Sequence, residues 1–386
     1  MDRADDRMKM KCLRCGNEDP AYFYEGHKGY YCRKCVRFSR ILLEEEMEPV
    51  DYEIAAGADD YHFSYHLTAQ QRQASKACLE SLVYADVLLH CVCGAGKTEI
   101  VVESISSYLS RGLKVAYAIA RKEVVIELAK RFSGIFAKAR VTAVYGGHHD
   151  EITGDLIVCT CHQLFRYPGT FDLLVIDEVD AFPLKGDETL MNIAMNSSKG
   201  RVIFSTATID ESLKEILKKR VYKNVELFVR PDHHPLPVPA VVYLKMPFAL
   251  LYLNHLLSKM DRQCIIFVST IRECVLLYKI FSRFYSCTFV YSNLPERNGH
   301  ISDFRDKKYK YIFSTSVLER GVTIDDINVI IFDDRNIFDE TNLIQMTGRI
   351  NRGIGHQGGK AYIIADHFSD RIDDTIAYLR KANSHL

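Results

Sequence analysis

The chain has 386 residues, with 50 Lys and Arg balanced by 50 Asp and Glu. A net charge of zero excludes a bulk polycation held on nucleic acid by overall charge, although not local patches. At 47% hydrophobic and 26% charged, the composition excludes disordered, collagen-like and coiled-coil chains, and the length calls for two or three domains. No apolar run approaches the roughly 18 residues of a membrane span, and no apolar stretch follows the charged start, so a cytoplasmic protein is expected.

Cys12, Cys15, Cys32 and Cys35 form two Cys-x2-Cys pairs. Each pair can turn two thiolates toward one metal, with a hairpin between the pairs, which predicts a closed structural Zn²⁺ site in a module spanning 1–45. Four protein ligands leave no open position for catalysis. The other eight cysteines lie in apolar runs and read as small core residues. Residues 7–40 carry nine basic and three acidic side chains, interleaved with Tyr22, Phe23, Tyr24, Tyr30 and Tyr31. These aromatic and basic residues, among them Lys9, Lys11, Arg14, Arg33, Lys34 and Arg37, fit a nucleic-acid face, the small core of a ribbon, or a protein dock. Residues 44–60 then hold eight acids and no base, and Ile41–Glu46 reads as a short helix that Pro49 ends.

Beyond residue 64, short apolar strands alternate with amphipathic helices. Strands are expected at Val87–Val92, Val115–Ile119, Leu156–Cys159, Leu173–Ile176 and Val202–Phe204, with helices over Glu123–Phe132 and Leu190–Met195. Arg230–Pro239 contains four of the ten prolines and reads as a linker. The alternation resumes with strands at Cys264–Phe267, Thr288–Tyr291, Tyr311–Phe313, Val329–Phe332 and Ala361–Ile364. The fold class is therefore α/β, two tandem parallel-sheet domains (46–230 and 231–386) after the zinc module.

Cys93-Gly94-Ala95-Gly96-Lys97-Thr98 follows the first strand and opens a helix. Its glycines admit phosphates to backbone N–H groups, Lys97 would reach the β- and γ-phosphates, and Thr98 would bind Mg²⁺. The phosphate-loop pattern is incomplete, because Cys91 stands at its first glycine. Asp177-Glu178-Val179-Asp180 follows four apolar residues, so its acids stand at the C-terminal edge of a parallel strand, where ligands bind. Asp177 is placed to hold Mg²⁺ and Glu178 to position or activate water.

These two segments resemble motifs I and II of superfamily 2 helicases and translocases, whose domains are RecA-like. Leu67–Gln71 resembles the Q motif, whose Gln, here Gln71, reads adenine. The resemblance assigns ATP contacts to Gln71, Gly94, Ala95, Gly96, Lys97, Thr98, Glu99, Asp177 and Asp325. It assigns nucleic-acid contacts to Arg121, Thr160, Thr270 and Thr315, and coupling of ATP state to movement to Thr206 and Thr208 of Ser205-Thr206-Ala207-Thr208. Gln345-Met346-Thr347-Gly348-Arg349-Ile350-Asn351-Arg352 resembles motif VI; Gln345, Arg349 and Arg352 join Lys97, Asp177 and Glu178 as catalytic residues. The two guanidiniums, one helical turn apart, are suited to stabilise transition-state charge.

With its N-terminal four-cysteine module, the whole chain resembles the ComFA family, cytosolic helicase-like ATPases of natural competence. Ala120 departs from the proline common before the motif Ia arginine, and Asn351 departs within motif VI. The resemblance implies ATP, Mg²⁺ and structural Zn²⁺ as cofactors. It implies single-stranded DNA, a membrane DNA channel and a ComFC-like protein as partners, reached from the cytoplasmic face. A helicase for repair or restart and a zinc-module adaptor with a regulatory ATPase remain as alternatives. PriA-like restart helicases differ in carrying their zinc cysteines within the second motor domain.

Overall fold

The computed structural model describes residues 10–319, 324–333, 337–350 and 358–384. The chain forms two compact units, Met1–Cys91 with Gly96–Leu227, and Val92–Ala95 with Phe228–Leu386.

The first unit begins with the antiparallel hairpin β1 (Phe23–Gly26) and β2 (Gly29–Cys32). Its main sheet comprises β3 (Asp86–Cys91), β4 (Val115–Ile119), β5 (Val141–Val144), β6 (Leu156–Thr160), β7 (Phe171–Asp177), β8 (Ser198–Thr206) and β9 (Tyr222–Leu227). They lie in the order β5-β6-β4-β7-β8-β3-β9, all parallel. The central strands are buried along their length, as expected where helices cover both faces.

The second unit has a six-stranded parallel sheet of β10 (Ala240–Tyr243), β11 (Gln263–Val268), β12 (Cys287–Val290), β13 (Tyr311–Ser314), β14 (Ile327–Asp333) and β15 (Ala361–Ala365). Its order is β10-β15-β14-β11-β13-β12, with one apolar cluster built on Ile265, Phe267, Val329 and Ile331 and another on Cys264, Ile266, Phe313 and Ile330. Alternate residues of β11 and β14 thus feed opposite faces of the sheet. Every strand expected from the sequence is present; β5, β9 and β10, all at sheet edges, were not anticipated.

The segment after the hairpin is not a helix. Leu42 forms a bridge with Tyr31, Leu43 N–H donates to Tyr30 O at 2.8 Å, and a turn follows at Glu45. A free edge on β2 competes for these backbone groups, and pairing with it wins over helix formation.

The zinc module shares the first unit's core. Cys12, Cys15, Phe23, Cys32, Cys35 and Phe38 belong to one buried cluster with Leu164, Leu190 and Ile193. Phe38 packs at 6.0 Å on the His162 ring and 5.9 Å on Phe165. Arg14, 6% exposed, donates to Phe38 O at 3.2 Å and Ser39 O at 2.8 Å, while Asn196 donates to Leu13 O and Arg14 O. Arg37 pairs with Asp187, and Lys34 lies 3.6 Å from Glu188. The acidic connector is also stitched down: Val50 N–H bonds Thr170 at 3.0 Å, Ala55 N–H bonds Asp155 at 2.7 Å, and Lys114 meets Val50 O at 2.8 Å.

Because Phe38 is core to both the module and the sheet domain, Phe38→Ala should destabilise the first unit by about 3 kcal/mol. Urea denaturation followed by tyrosine fluorescence should show a lowered midpoint for that whole unit rather than a separate early transition.

Candidate functional site

The C-terminal edge of the first sheet gathers the motif I and II side chains. Gly94 and Gly96 both have φ near +85° (83° and 85°), the left-handed region that glycine adopts without strain. A Cβ on Gly96 would stand 2.4 Å from Gln71 Nε2 and 3.2 Å from Glu99 Oε2, so only glycine fits where the Gln71 amide crosses the loop. Lys97 and Thr98 open the helix Lys97–Ile100 directly afterward.

Gln71 is buried, and its side chain also completes a capping box. Its N–H donates to Thr68 Oγ1 at 3.2 Å, and its Oε1 accepts from Thr68 N–H at 3.0 Å. This fixes the start of helix Ala69–Ser81 against the phosphate loop. Glu99 is buried, ion-paired with Arg131, and accepts from the Tyr65 hydroxyl, tying the segment before the Q motif to the same helix.

Asp177 is 7% exposed at the end of β7, and both carboxylate oxygens are engaged. Oδ2 accepts from the Tyr117 hydroxyl at 2.7 Å; Oδ1 accepts from the Ser205 hydroxyl at 2.8 Å and the Glu178 N–H at 2.9 Å. Strand register explains both side-chain partners. Ser205 on β8 is the direct neighbour of Asp177, and Tyr117 on β4 pairs with Val175, which places it diagonal to Asp177 on the same face. The Thr98 side chain lies close enough to this phenol to favour its ionised form slightly, so the phenol neighbours both expected magnesium ligands. Burial, then the Asp177 charge, pushes the Tyr117 phenol well above its ordinary value and keeps it a donor.

Glu178 has φ +53°, an uncommon conformation for a residue with a Cβ. Asp180 accepts from Thr208 Oγ1 at 2.8 Å, and Thr208 N–H donates to Thr206 Oγ1 at 3.1 Å, which joins motif II to the coupling pair. Tyr117 and the role of Ser205 were missed from the sequence. A tyrosine inside a wholly buried strand signals a hydroxyl needing a partner, but only the strand register says which.

Four cysteine sulfurs lie within 4.8 Å of one another, all buried. Cys12 and Cys35 sulfurs are 3.6 Å apart and those of Cys15 and Cys32 3.8 Å, close to the roughly 3.8 Å edge of a tetrahedron with 2.3 Å Zn–S bonds. The donor set fits a structural zinc. Among the other cysteines, burial pushes the thiols of Cys274 and Cys287 up, to about 12 and about 11, and suits them to packing rather than reaction.

Of the expected nucleic-acid contacts, Arg121 and Thr160 stand together at the end of the first sheet, since Ile119 pairs with Thr160. Arg121 is half-buried and caps helix Lys122–Ile135, whereas Thr160 is 6% exposed. A neighbouring loop after β5 was not anticipated: Tyr145 stacks on His148 at 4.9 Å, Lys122 lies 4.8 Å over the Tyr145 ring, and Gly146 and Gly147 leave open backbone between them.

In the second unit, Thr270 caps helix Ile271–Phe281 through a box with Glu273. Thr315 follows β13 beside β11 at the same sheet end. Gln345 is buried on helix Glu340–Thr347. Arg349 lies beyond that helix in a turn, not on it; the helix closes at Gly348, and the 2%-exposed Arg349 donates from Nε to Glu319 O at 2.9 Å. Asp325 is exposed. Arg352 and Asn351 lie outside the described residues.

Comparison with known proteins agrees with this geometry. A family model described as DEAD/DEAH box helicase matches residues 68–216, and one described as Helicase conserved C-terminal domain matches 249–353. Competence protein ComFA of Bacillus subtilis (strain 168) is 30% identical, over 94% of this chain and 83% of that protein. Competence protein ComFA of Streptococcus pneumoniae is 28% identical, over 98% and 91%. Among solved structures, S. cerevisiae Dbp5 bound to RNA and ADP BeF3 shares the fold with a TM-score of 0.62, at 18% identity over 83% of this chain and 88% of that one.

Removing the phenol hydroxyl while keeping the ring on Phe132 isolates its bond to Asp177. Tyr117→Phe should raise the Mg²⁺ concentration for half-maximal ATP hydrolysis about tenfold, the scale of one hydrogen bond to a buried charge. A magnesium titration of the ATPase measures it. Elemental analysis should find one zinc per chain, and none in a Cys12→Ser, Cys35→Ser variant.

Proposed function

The chain belongs to the ComFA family of superfamily 2 helicase-like ATPases, and on that premise we propose that it is an ATP-driven single-stranded DNA motor serving DNA uptake in natural competence. The observation that carries the reading is the cluster of Thr98, Tyr117, Asp177 and Ser205 beside the Gly96-Lys97 turn, a preorganised place for a phosphate-bound cation.

ATP with magnesium, when bound, supplies the scissile anhydride and neutralises its charge. Lys97 and the loop N–H groups would hold the phosphates, Thr98 and Asp177 the metal, and Gln71 the base. Glu178, turned by its left-handed backbone, orients the attacking water and takes its proton. The motif VI resemblance assigns Arg349 the role of stabilising developing charge. Arg121, Thr160, Thr270 and Thr315 stand at strand ends, where loop movement would be passed to a nucleic-acid backbone. Contacts to phosphates make such binding sequence-tolerant and salt-sensitive. Among the described residues no helix is long and apolar enough to cross a membrane, so the proposed work at the membrane falls to partners, a DNA channel and a ComFC-like protein.

Lys97→Ala should abolish ATP hydrolysis stimulated by single-stranded DNA, and Glu178→Gln should lower it at least about a hundredfold while ATP still binds. The assay compares single-stranded DNA, duplex DNA and RNA as stimulators. Stimulation by RNA alone would reject the DNA reading, and efficient unwinding of a forked duplex would favour a helicase.

A further inference from the structure

The hairpin of the zinc module has two chemically different faces. Strand alternation puts Phe23 and Cys32 on one, and both are buried, so with Phe38 they supply the module's core. The other carries Tyr22, Tyr24, Tyr31 and Arg33. Tyr22 and Tyr24 remain 42% and 52% exposed, and Tyr31 is half-buried.

Each ring on this face carries a cation. Arg33 stands 5.9 Å from the Tyr24 ring centre, Arg40 4.6 Å from Tyr31, and Lys34 5.6 Å from Tyr22, while Tyr24 and Tyr31 lie 5.5 Å apart across the strands. Glu25 pairs with Tyr30 on the opposite face and accepts its hydroxyl at 3.0 Å. Other basic residues of the module are committed elsewhere: Arg14 inside the fold, Lys11 to Glu18 at 2.9 Å, Arg37 to Asp187. Lys34 also lies near Glu188, but Arg33 and Arg40 are exposed, Arg33 beside the exposed Tyr24 and Arg40 beside the half-buried Tyr31.

We infer that this tyrosine and arginine face is a stacking platform for single-stranded nucleic acid, an inference that rests on the proposed motor reading for its ligand. Bases have π-faces that tyrosine rings can stack against, and guanidiniums beside the rings meet the intervening phosphates. Arg33 and Arg40 beside their rings complement a polyanion, and aromatic stacking selects unpaired bases over a duplex. The platform discriminates neither sequence nor sugar.

The test uses the full chain with zinc bound and fluorescent oligo(dT) and oligo(U), read by anisotropy. Tyr24→Ala with Tyr31→Ala should weaken both about tenfold or more, whereas Tyr24→Phe with Tyr31→Phe should bind as the parent does. At saturating DNA the alanine variant should hydrolyse ATP at the parent's kcat, because the face carries none of the residues assigned to ATP. Equal affinity of parent and alanine variant would overturn the platform, leave the motor reading standing, and point to a protein as the occupant. A parent chain that binds neither oligonucleotide would overturn both. If the alanine pair loses zinc, Arg33→Ser with Arg40→Ser decides instead: the log-affinity against log-salt slope should shrink by about 1.4, and an unchanged slope overturns the platform.

Discussion

A carboxylate can be buried within a sheet only where its oxygens find donors, and Asp177 imposes that condition on the whole first unit. Its neighbours across two strands are fixed by register, so a serine is required on β8 and a donor on β4. Tyr117 fills that place with its ring 5.2 Å from that of Phe132 and its hydroxyl beside Thr98, on the first turn of helix Lys97–Ile100. Glu178 then turns left-handed as its N–H closes on the same carboxylate. Two neighbouring strands and the turn after β7 thus meet at one buried charge.

The zinc module answers a different problem. A segment of roughly 45 residues rarely buries enough surface to fold alone, and a closed four-thiolate site makes up the deficit. Here the module also borrows the sheet domain's core. Phe38, three residues after the last ligand, rests on His162 and Phe165, in the loop that directly follows Thr160. One packed ring therefore links the four-cysteine cluster to a strand end expected to touch nucleic acid. Burial, with Arg37 nearby, lowers the His162 pKa, so the ring under Phe38 favours its uncharged form.

How much of this was legible in the sequence follows from where each residue sits. Interior strands such as Leu173–Ile176 are covered on both faces and read as unbroken apolar runs. The strands that escaped notice are all sheet edges: polar residues interrupt β5 and β9, while the short apolar run of β10 directly follows Pro239 in the segment read as a linker. The residues of the ATP site were legible because glycine, lysine and acid are required at fixed spacing. Tyr117 was not, since its partner is 60 residues away and set by a strand pairing. The expected helix at Ile41–Glu46 failed because local charge and apolar pattern say nothing about an open strand edge nearby. In the zinc module, a count of positive residues overstated the available cations; several are spent on the module's own attachment.

The connector between the zinc module and the Q-motif helix has the composition of a loose spacer, yet it is held by main-chain bonds to Thr170, Asp155 and, through Asp59 O, Ser106. Such a tether has almost no slack. The hairpin cannot search a volume around the first unit, as a finger on a flexible leash would; its offset from the ATP residues is constant. Whatever the hairpin grips therefore shares every displacement of that unit, and the distance between the two holds is a fixed gauge length built into the chain.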